Sequence, residues 1–460
     1  MKVELSGEHF DALRQLLARA AGLVFDDARR ESMAYSVAER MRASGAVDVP
    51  TYLARLDDPV ERQALLDEVT IQETHFFRNP PQVRALRTHV LPELLRQAEA
   101  NGKRLRIWSA GCSTGEEPYS IAMQLRELLP SLTGWDVKVI GTDVSTRALS
   151  AARAGRYGSR AVNLASPEEL ARHFQPTSNG MHEVRPEVRE LVEFRHHNLV
   201  TEPVPFAASE RVDLVLCRNV TIYFSRETTR ALMARLHTCL RDGGYLFLGH
   251  SETLWQVSED FRLVALGTGD TAAFVYRRRD PGSERRAVLP DRRTLDEGVT
   301  PPAPERRVRP RRAEPRAAAA PQTADQLLVR ARAAFGAGRY DDTAELAAQA
   351  TLLPQPRPEA FYLRGLALVS AGRDDAAVVE LRKAVYLDPA LGFAHFLLAG
   401  VLDRLGYRAA ACVAYAAAAD TLVSAPRDAT APELGGRSVH ELAQLCRELS
   451  DRQPADEEVS

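Results

Sequence analysis

Residues 105–119 read LRIWSAGCSTGEEPY, and this stretch predicts the fold of the chain around it. Its first four residues form an apolar run typical of a short buried strand, and small residues follow from Ser109 to Gly115. Pro118 suits the first turn of a helix, where a missing N–H costs little, so a helix is predicted from Glu116 onward. A strand, a loop of small residues and a helix bring a ligand against backbone N–H groups at the helix N-terminus.

The loop lacks the features of the common phosphate-binding motifs. No Lys follows Gly115, as a nucleotide-phosphate loop requires, and the glycine spacing of a dinucleotide fingerprint is absent. Glu116 and Glu117 lie where a pyrophosphate would have to bind, and their negative charge would repel it. The ligand head group is therefore expected to be neutral or cationic, as in the amino-acid-bearing sulfonium S-adenosylmethionine. An ordinary strand–helix turn without a ligand is the alternative interpretation.

Composition and charge limit the classes of function. The chain has 460 residues with 60 Lys and Arg against 62 Asp and Glu, and this net charge of -2 predicts no nucleic-acid partner. The five cysteines show no C-x-x-C pairing, which argues against a metal site and disulfides and favours a reducing, cytoplasmic location. No apolar run approaches membrane-spanning length, so no direct membrane insertion is expected.

Polar residues follow apolar strands at several points of an alternating strand–helix pattern. Because ligands of open α/β sheets bind outside the carboxyl ends of the strands, these residues are expected to surround one ligand. Asp143 ends the second strand, where a carboxylate can accept hydrogen bonds from both hydroxyls of a ribose; it can also cap the next helix. The other strand-end residues are Asn198, Leu199, Arg218 and Asn219. The last two strands follow each other without a helix, which favours a methyltransferase sheet over a dehydrogenase sheet.

Helices are predicted on both sides of this central region. Apolar residues recur with a helical period from Val60 to Phe77, so one helix is predicted over that range. A later helix from Arg226 to Leu240 is predicted to stop at Asp242-Gly243-Gly244, before a strand that begins at Tyr245.

The C-terminal part of the chain repeats itself after a segment rich in Pro, Arg and Ala, which is predicted to be an extended linker. Gly338, Gly372 and Gly406 are 34 residues apart (372 − 338; 406 − 372). Such a period is typical of tetratricopeptide repeats, which present a concave surface to a protein partner. Ser438 and Glu441 form a capping-box pattern that predicts a final helix. A plain helical bundle is the alternative. Small residues with the same spacing as the glycines are Ala331, Gly365 and Ala399.

The first 280 residues resemble the CheR family, S-adenosylmethionine-dependent methyltransferases that esterify glutamates of bacterial chemoreceptors. The motifs that carry the resemblance are WSAGCSTGEEPYS at 108–120, GTDVS at 141–145, CRNVTIYF at 217–224 and GHSE at 249–252. The resemblance implies a class I, Rossmann-like α/β methyltransferase sheet behind an N-terminal helical domain. It also implies transfer of methyl from S-adenosylmethionine to the cytoplasmic domain of a methyl-accepting chemoreceptor. An inactive scaffold that recruits signalling partners and a small-molecule methyltransferase are alternative functions.

Positions that match the family imply roles for individual residues. Arg78 and Tyr223 match the methyl-transfer site and are expected to be catalytic by orienting the reactants. Arg78 would pair with the carboxylate of the cofactor or of the incoming glutamate. Glu117 would take the ammonium of the cofactor, and Asp143 its ribose. The implied cofactor-binding set is Gln72, Thr74, Arg78, Glu117, Asp143, Asn198, Leu199, Arg218 and Asn219.

The sequence departs from the family at Gln72, where Asn is usual, and at Ser36, where a family member has an Arg that faces the receptor. The predicted units are a helical N-terminal domain at 1–80, a methyltransferase domain at 81–280, a linker at 281–322, three tetratricopeptide repeats at 323–425, and a capping helix with a tail at 426–460.

Overall fold

The fold is known from a computed structural model, which describes the greater part of the chain. The described ranges are 3–177, 180–207, 210–249, 252–254, 257–267, 272–279, 323–353, 356–423, 430–431 and 437–451. The predicted linker at 281–322 and most of the predicted tail lie outside them. In the described part of the chain, no helix has the length and apolar character needed to cross a bilayer.

The N-terminal region is a small helical unit with its own core. Ser6 begins the first helix by accepting a hydrogen bond from His9 N–H, and Gly22 ends it in the left-handed conformation. The side chains of Phe10, Leu13 and Tyr52 are fully buried in its core. The helices are α1 Gly7–Ala21, α2 Arg30–Ser44, α3 Val49–Arg55 and α4 Pro59–Val69.

The predicted helix over 60–77 is wrong beyond Val69. The residues from Thr70 to Asn79 form an irregular segment. Phe76 packs edge-on against Tyr157 and Phe174, and Phe77 adopts a positive φ of 56°. The helical period continued through this pair only by coincidence, because both rings are buried in the core of the next domain.

A seven-stranded sheet forms the centre of the molecule, in the order β6-β2-β1-β7-β8-β10-β9. The first five strands in this order are parallel, and β10 runs antiparallel to both β8 and β9. The predicted methyltransferase-type edge is therefore confirmed. The strands are β1 Arg104–Ala110, β2 Asp136–Asp143, β3 Arg156–Tyr157, β4 Phe174–Pro176, β5 His182–Val184, β6 Val192–His196, β7 Val212–Cys217, β8 Leu240–Leu248, β9 Phe261–Leu266 and β10 Ala273–Arg278, of which β3, β5 and β4 form a separate small sheet.

Helices cover both faces of the large sheet, as its apolar strands require. A π-helical turn at Leu86–Val90 joins the two helices that precede β1. The helices are α5 Pro80–Ala85, α6 Leu91–Ala100, α7 Glu116–Leu128, α8 Thr146–Ala154, α9 Pro167–His173, α10 Pro186–Arg189 and α11 Arg226–Cys239.

The prediction that Gly243 and Gly244 stop a helix is wrong, because both residues lie inside β8. Leu240 is already extended and pairs with Val212, and the register then shifts before Leu214 pairs with Tyr245. A Cβ on Gly244 would lie 2.9 Å from a backbone carbonyl oxygen, so glycine allows the close approach at this bulge.

The C-terminal helices stack as pairs. Gly338, Gly372 and Gly406 all have positive φ angles, of 71°, 70° and 86°, between the two helices of each pair. The predicted capping box at Ser438 and Glu441 is present. We call α12 to α18 the array; they are α12 Ala324–Gly336, α13 Tyr340–Thr351, α14 Pro358–Ser370, α15 Asp374–Leu387, α16 Gly392–Arg404, α17 Arg408–Val423 and α18 Val439–Ser450, with a short strand pair, β11 Thr430–Ala431 and β12 Arg437–Ser438, before α18.

Candidate functional site

A cavity of about 300 Å³ lies at the carboxyl ends of the parallel strands, between the sheet and the N-terminal helical unit. Every residue predicted for the site lines it, although the residues come from separate segments of the chain. They are Gln72, Thr74, Arg78, Glu117, Asp143, Asn198, Leu199, Arg218, Asn219 and Tyr223.

The loop between β1 and α7 reaches the cavity because its glycines allow close packing. Gly111 and Gly115 have φ angles of 81° and 95°, which L side chains rarely adopt. A Cβ on Gly111 would lie 2.5 Å from the Cγ2 of Val220, and one on Gly115 would lie 2.8 Å from the Cβ of Ala152. The loop therefore fits against the loop after β7 on one side and against α8 on the other.

Asp143 organises the adjacent turns. Its Oδ2 accepts the N–H of Ser113 and its Oδ1 accepts the N–H of Ser145, both at 2.8 Å. Asp143 is not itself the helix cap, because the Ser145 side chain caps α8 by accepting the Ala148 N–H. Burial raises the pKa of the Asp143 carboxyl, and the two N–H donors oppose that shift. Since a carboxylate has about four lone-pair sites, Asp143 retains acceptor capacity for a ribose.

Glu117 is fixed by two side chains. Ser109 Oγ donates to Glu117 Oε1 at 2.6 Å, and Arg218 Nη1 donates to Oε2 at 3.1 Å. Arg218 Nη2 also donates to the backbone oxygen of Arg78 at 2.7 Å, so one guanidinium connects β7 to the segment before α5. Arg218 Nε is buried and has no hydrogen-bond partner among the described residues. These contacts leave an acidic group at the cavity wall that suits an ammonium.

Gln72 and Asn198 use their amide groups within the protein. Gln72 Oε1 accepts from Ser113 Oγ at 2.6 Å, so the longer side chain reaches the β1–α7 loop. Asn198 Nδ2 donates to the Ala20 oxygen at 2.7 Å, and its Oδ1 accepts the N–H of Val200 at 3.0 Å. The Asn198 side chain thus connects the strand end to α1 of the helical unit.

Tyr223 and Arg78 line the cavity from two separate segments of the chain. The Tyr223 carbonyl accepts the N–H of Val24 at 2.8 Å, and the guanidinium of Arg29 lies 5.2 Å from the centre of the Tyr223 ring. Arg78 Nη1 donates to the Glu73 backbone oxygen at 2.8 Å. Arg29 also lines the cavity, and no sequence motif indicated it because it lies in a short turn of mixed charge, DDARRE at 26–31.

Glu252 is a second residue that the assignment of site residues missed, although it ends the GHSE motif. It is 3% exposed, and its carboxylate accepts N–H groups from the Asn219 turn. Asn219 itself has a positive φ of 59°. The loop that carries Tyr223 is therefore held by a buried acid from the end of β8.

Burial is the main cause of the pKa shifts of two other groups that line the cavity, Cys112 and His75. Burial and the nearby carboxylates of Asp143 and Glu117 raise the pKa of the Cys112 thiol well above its ordinary value, so the thiol is neutral and a poor nucleophile. Burial and the charges of Arg78 and Arg218 lower the pKa of His75. No metal-binding group of three or more His, Cys, Asp and Glu is found among the residues that the structure describes.

Comparison with known proteins finds that the chain is similar to methyltransferases. The profile of the CheR methyltransferase SAM-binding domain matches residues 72–269, and that of the CheR methyltransferase all-alpha domain matches residues 8–70. Chemotaxis protein methyltransferase 1 of Pseudomonas aeruginosa is 36% identical over 267 residues, which are 56% of this chain and 95% of the relative. Chemotaxis protein methyltransferase of Salmonella typhimurium is 35% identical over 274 residues, which are 57% of this chain and 89% of the relative. Both profile matches lie before the array, which begins at Ala324.

Proposed function

This chain belongs to the CheR methyltransferase family, and from that membership we propose that it methylates glutamate side chains of a methyl-accepting chemoreceptor. The family binds S-adenosylmethionine, and the cavity offers groups suited to that molecule. Asp143 has acceptor capacity for the ribose, Glu117 for the ammonium, and the unpartnered Arg218 Nε is a donor for a carboxylate.

The observation that carries the proposed acceptor is the pair of arginines at the cavity. Arg29 and Arg78 both line it, and within the described ranges neither forms an ion pair with an Asp or Glu of the chain. A guanidinium presents a planar set of donors that matches a carboxylate, so either arginine suits an incoming glutamate. The site therefore favours an anionic acceptor.

The reaction requires little acid–base chemistry from the protein. S-adenosylmethionine supplies an electrophilic methyl group whose bond to sulfur breaks as a bond to a carboxylate oxygen forms, and no proton moves. A glutamate carboxylate, with an ordinary pKa of about 4.3, is already ionised at neutral pH. Arg78 and Tyr223 are proposed to orient the acceptor, and alignment of reactants alone can supply several kcal/mol, about 7–11 at most.

The test uses the full chain, S-adenosylmethionine with a labelled methyl group, and the cytoplasmic domain of a chemoreceptor. We expect label on the receptor fragment that mild alkali releases, because carboxyl methyl esters hydrolyse readily. Arg78→Ala should lower the rate by about a hundredfold, the effect of misplacing a reactant by about 1 Å. The matched control is Arg84→Ala, which removes an exposed arginine of α5 and should leave the rate unchanged.

Two outcomes would contradict the proposal. Label that resists alkali would indicate methylation of nitrogen or sulfur rather than of a carboxylate. Label found only on small molecules, with none on receptor protein, would indicate a small-molecule methyltransferase. The alternative of an inactive scaffold is not favoured, because the residues that match the family remain together at the cavity.

We further propose that the array binds a protein partner of the same signalling pathway and that the chain acts in the cytoplasm. The 34-residue period supports the first statement, since stacked repeats of this type present an extended surface to partners. Cysteines without pairing support the second, because the described cysteines are all free thiols.

A further inference from the structure

Glu252, just beyond the end of β8, accepts five hydrogen bonds. Its Oε2 accepts the N–H of Asn219 at 2.5 Å and that of Gly249 at 2.6 Å. Its Oε1 accepts the N–H of Val220 at 3.0 Å, and both the N–H and the hydroxyl of Thr221 at 2.7 Å. Within the described parts of the chain, no Lys, Arg or His forms an ion pair with this carboxylate. Four backbone N–H groups and the Thr221 hydroxyl therefore satisfy this buried carboxylate.

The donors belong to the turn that leads to Tyr223. Asn219 takes a left-handed conformation, which Asn tolerates better than most residues other than glycine, and Glu252 binds its N–H there. Thr221–Tyr223 then form one 3-10 turn. At its far end the Tyr223 carbonyl accepts the N–H of Val24. The turn is thus fixed by Glu252 at one end and by the helical unit at the other.

Gly249 shows that the chain makes room for this carboxylate. A Cβ at residue 249 would lie 2.5 Å from Glu252 Oε2 and 3.0 Å from the Asn219 nitrogen. Any side chain at that position would displace the carboxylate from the donors. The glycine and the acid therefore act together.

We propose that Glu252 is a positioning residue for methyl transfer, which presents Asn219 and Tyr223 to the cavity by holding the N–H groups of residues 219–221. This inference rests on the proposed function, since the transfer it serves is the one proposed above. Glu252 is not a catalytic residue, because its oxygens are directed to the backbone and it is absent from the cavity lining.

The experiment compares the variants Glu252→Gln and Gly249→Ala with wild type, each as the full chain. Gln keeps the shape but replaces one acceptor oxygen with an NH2 donor, which faces N–H groups that are donors themselves. We expect kcat for methylation of the receptor fragment to fall by about tenfold to a hundredfold in both variants, the effect of a reactant misplaced by up to about 1 Å. The dissociation constant for S-adenosylhomocysteine should rise by a smaller factor than kcat falls, because Asp143 and Glu117 are unaltered and only the expected contact of Asn219 is disturbed.

The matched control is Asp213→Asn, which alters another buried carboxylate at the opposite end of β7. Asp213 accepts the Arg106 N–H at 2.7 Å and lies 3.0 Å from Arg241. This variant should lose thermal stability as Glu252→Gln does but should retain kcat. Equal losses of kcat in both variants would make Glu252 merely structural and would overturn the proposal, as would a normal kcat in folded Glu252→Gln.

Hydrogen exchange supplies a readout that does not depend on the acceptor. Glu252→Gln should speed exchange of the Val220 and Thr221 amides, and Asp213→Asn should not. If the wild-type chain transferred no methyl group to the receptor, the proposed function would fail, and the exchange result would still decide whether Glu252 holds the Asn219 turn. Unchanged protection of these two amides would refute it.

Discussion

At the scale of single residues, Asp143 joins the cavity at the strand ends to the loops around it. Each hydrogen bond to a charged group contributes about 1.5–3 kcal/mol, and Asp143→Ala removes the bonds to Ser113 and Ser145 together with any bond to a ribose. We therefore expect the dissociation constant for S-adenosylhomocysteine, measured by calorimetry, to rise at least about tenfold to a hundredfold. Asp136→Ala changes the other end of the same strand and should leave the constant unaltered. Equal affinity of Asp143→Ala and wild type would contradict the assignment.

The positions of single residues were predictable where a strand end dictates them. Asp143, Arg218 and Asn219 follow parallel strands, and parallel strands bring their carboxyl ends to one edge of the sheet whatever the rest of the chain does. The partners of side chains were not predictable in this way. Asn198 binds α1 and Glu252 binds the Asn219 turn, and both contacts depend on segments that are distant in sequence.

At the scale of secondary-structure elements, Gly365 decides how closely α14 and α15 pack. A Cβ there would lie 2.6 Å from the Cγ of Leu381. Replacing glycine by alanine inside a helix gains about 1 kcal/mol of helix propensity. Overpacking costs about 1–3 kcal/mol, so we expect Gly365→Ala to lower the Tm of the array in calorimetry. Gly336→Ala is the matched control, since no atom lies within 4 Å of its Cβ position and only propensity changes. A higher Tm for Gly365→Ala than for wild type would show that the helices separate freely.

The ends of an element were predictable where nearby residues in the sequence determine them, and were not predictable elsewhere. Helix α1 is capped by Ser6 and ended by Gly22, two residues that directly flank it in the sequence. The irregular segment after Val69 has no such local cause, because Phe77 is held there by a hydrogen bond from its N–H to Ser120 Oγ. A prediction from periodicity alone therefore placed the end of α4 at Phe77 instead of Val69.

At the scale of the whole molecule, the array lies against the edge of the large sheet. The ring of Tyr386 in α15 lies 5.6 Å from that of Phe274 and 6.2 Å from that of Tyr276, both on β10. Leu263 of β9 packs against the core of the array and also against the core on one face of the sheet. The sequence predicted both units but not this contact, because each has its own periodicity and nothing local relates one to the other.

The contact is small enough for one substitution to weaken it. Each aromatic pair contributes about 0.5–1.5 kcal/mol beyond its buried area, so Tyr386→Ala removes a substantial part of the interaction. We expect faster hydrogen exchange in β9, the edge strand that the array covers through Leu263. Tyr407→Ala, which removes an exposed tyrosine elsewhere in the array, should leave that exchange unchanged. Identical exchange in both variants would mean that the array does not protect the sheet edge in solution. The ring of Tyr386 packs against Tyr276, and the Tyr276 hydroxyl accepts the N–H of Leu254. Leu254 lies two residues after Glu252, so Tyr386→Ala alters packing close to the carboxylate that holds the Tyr223 turn.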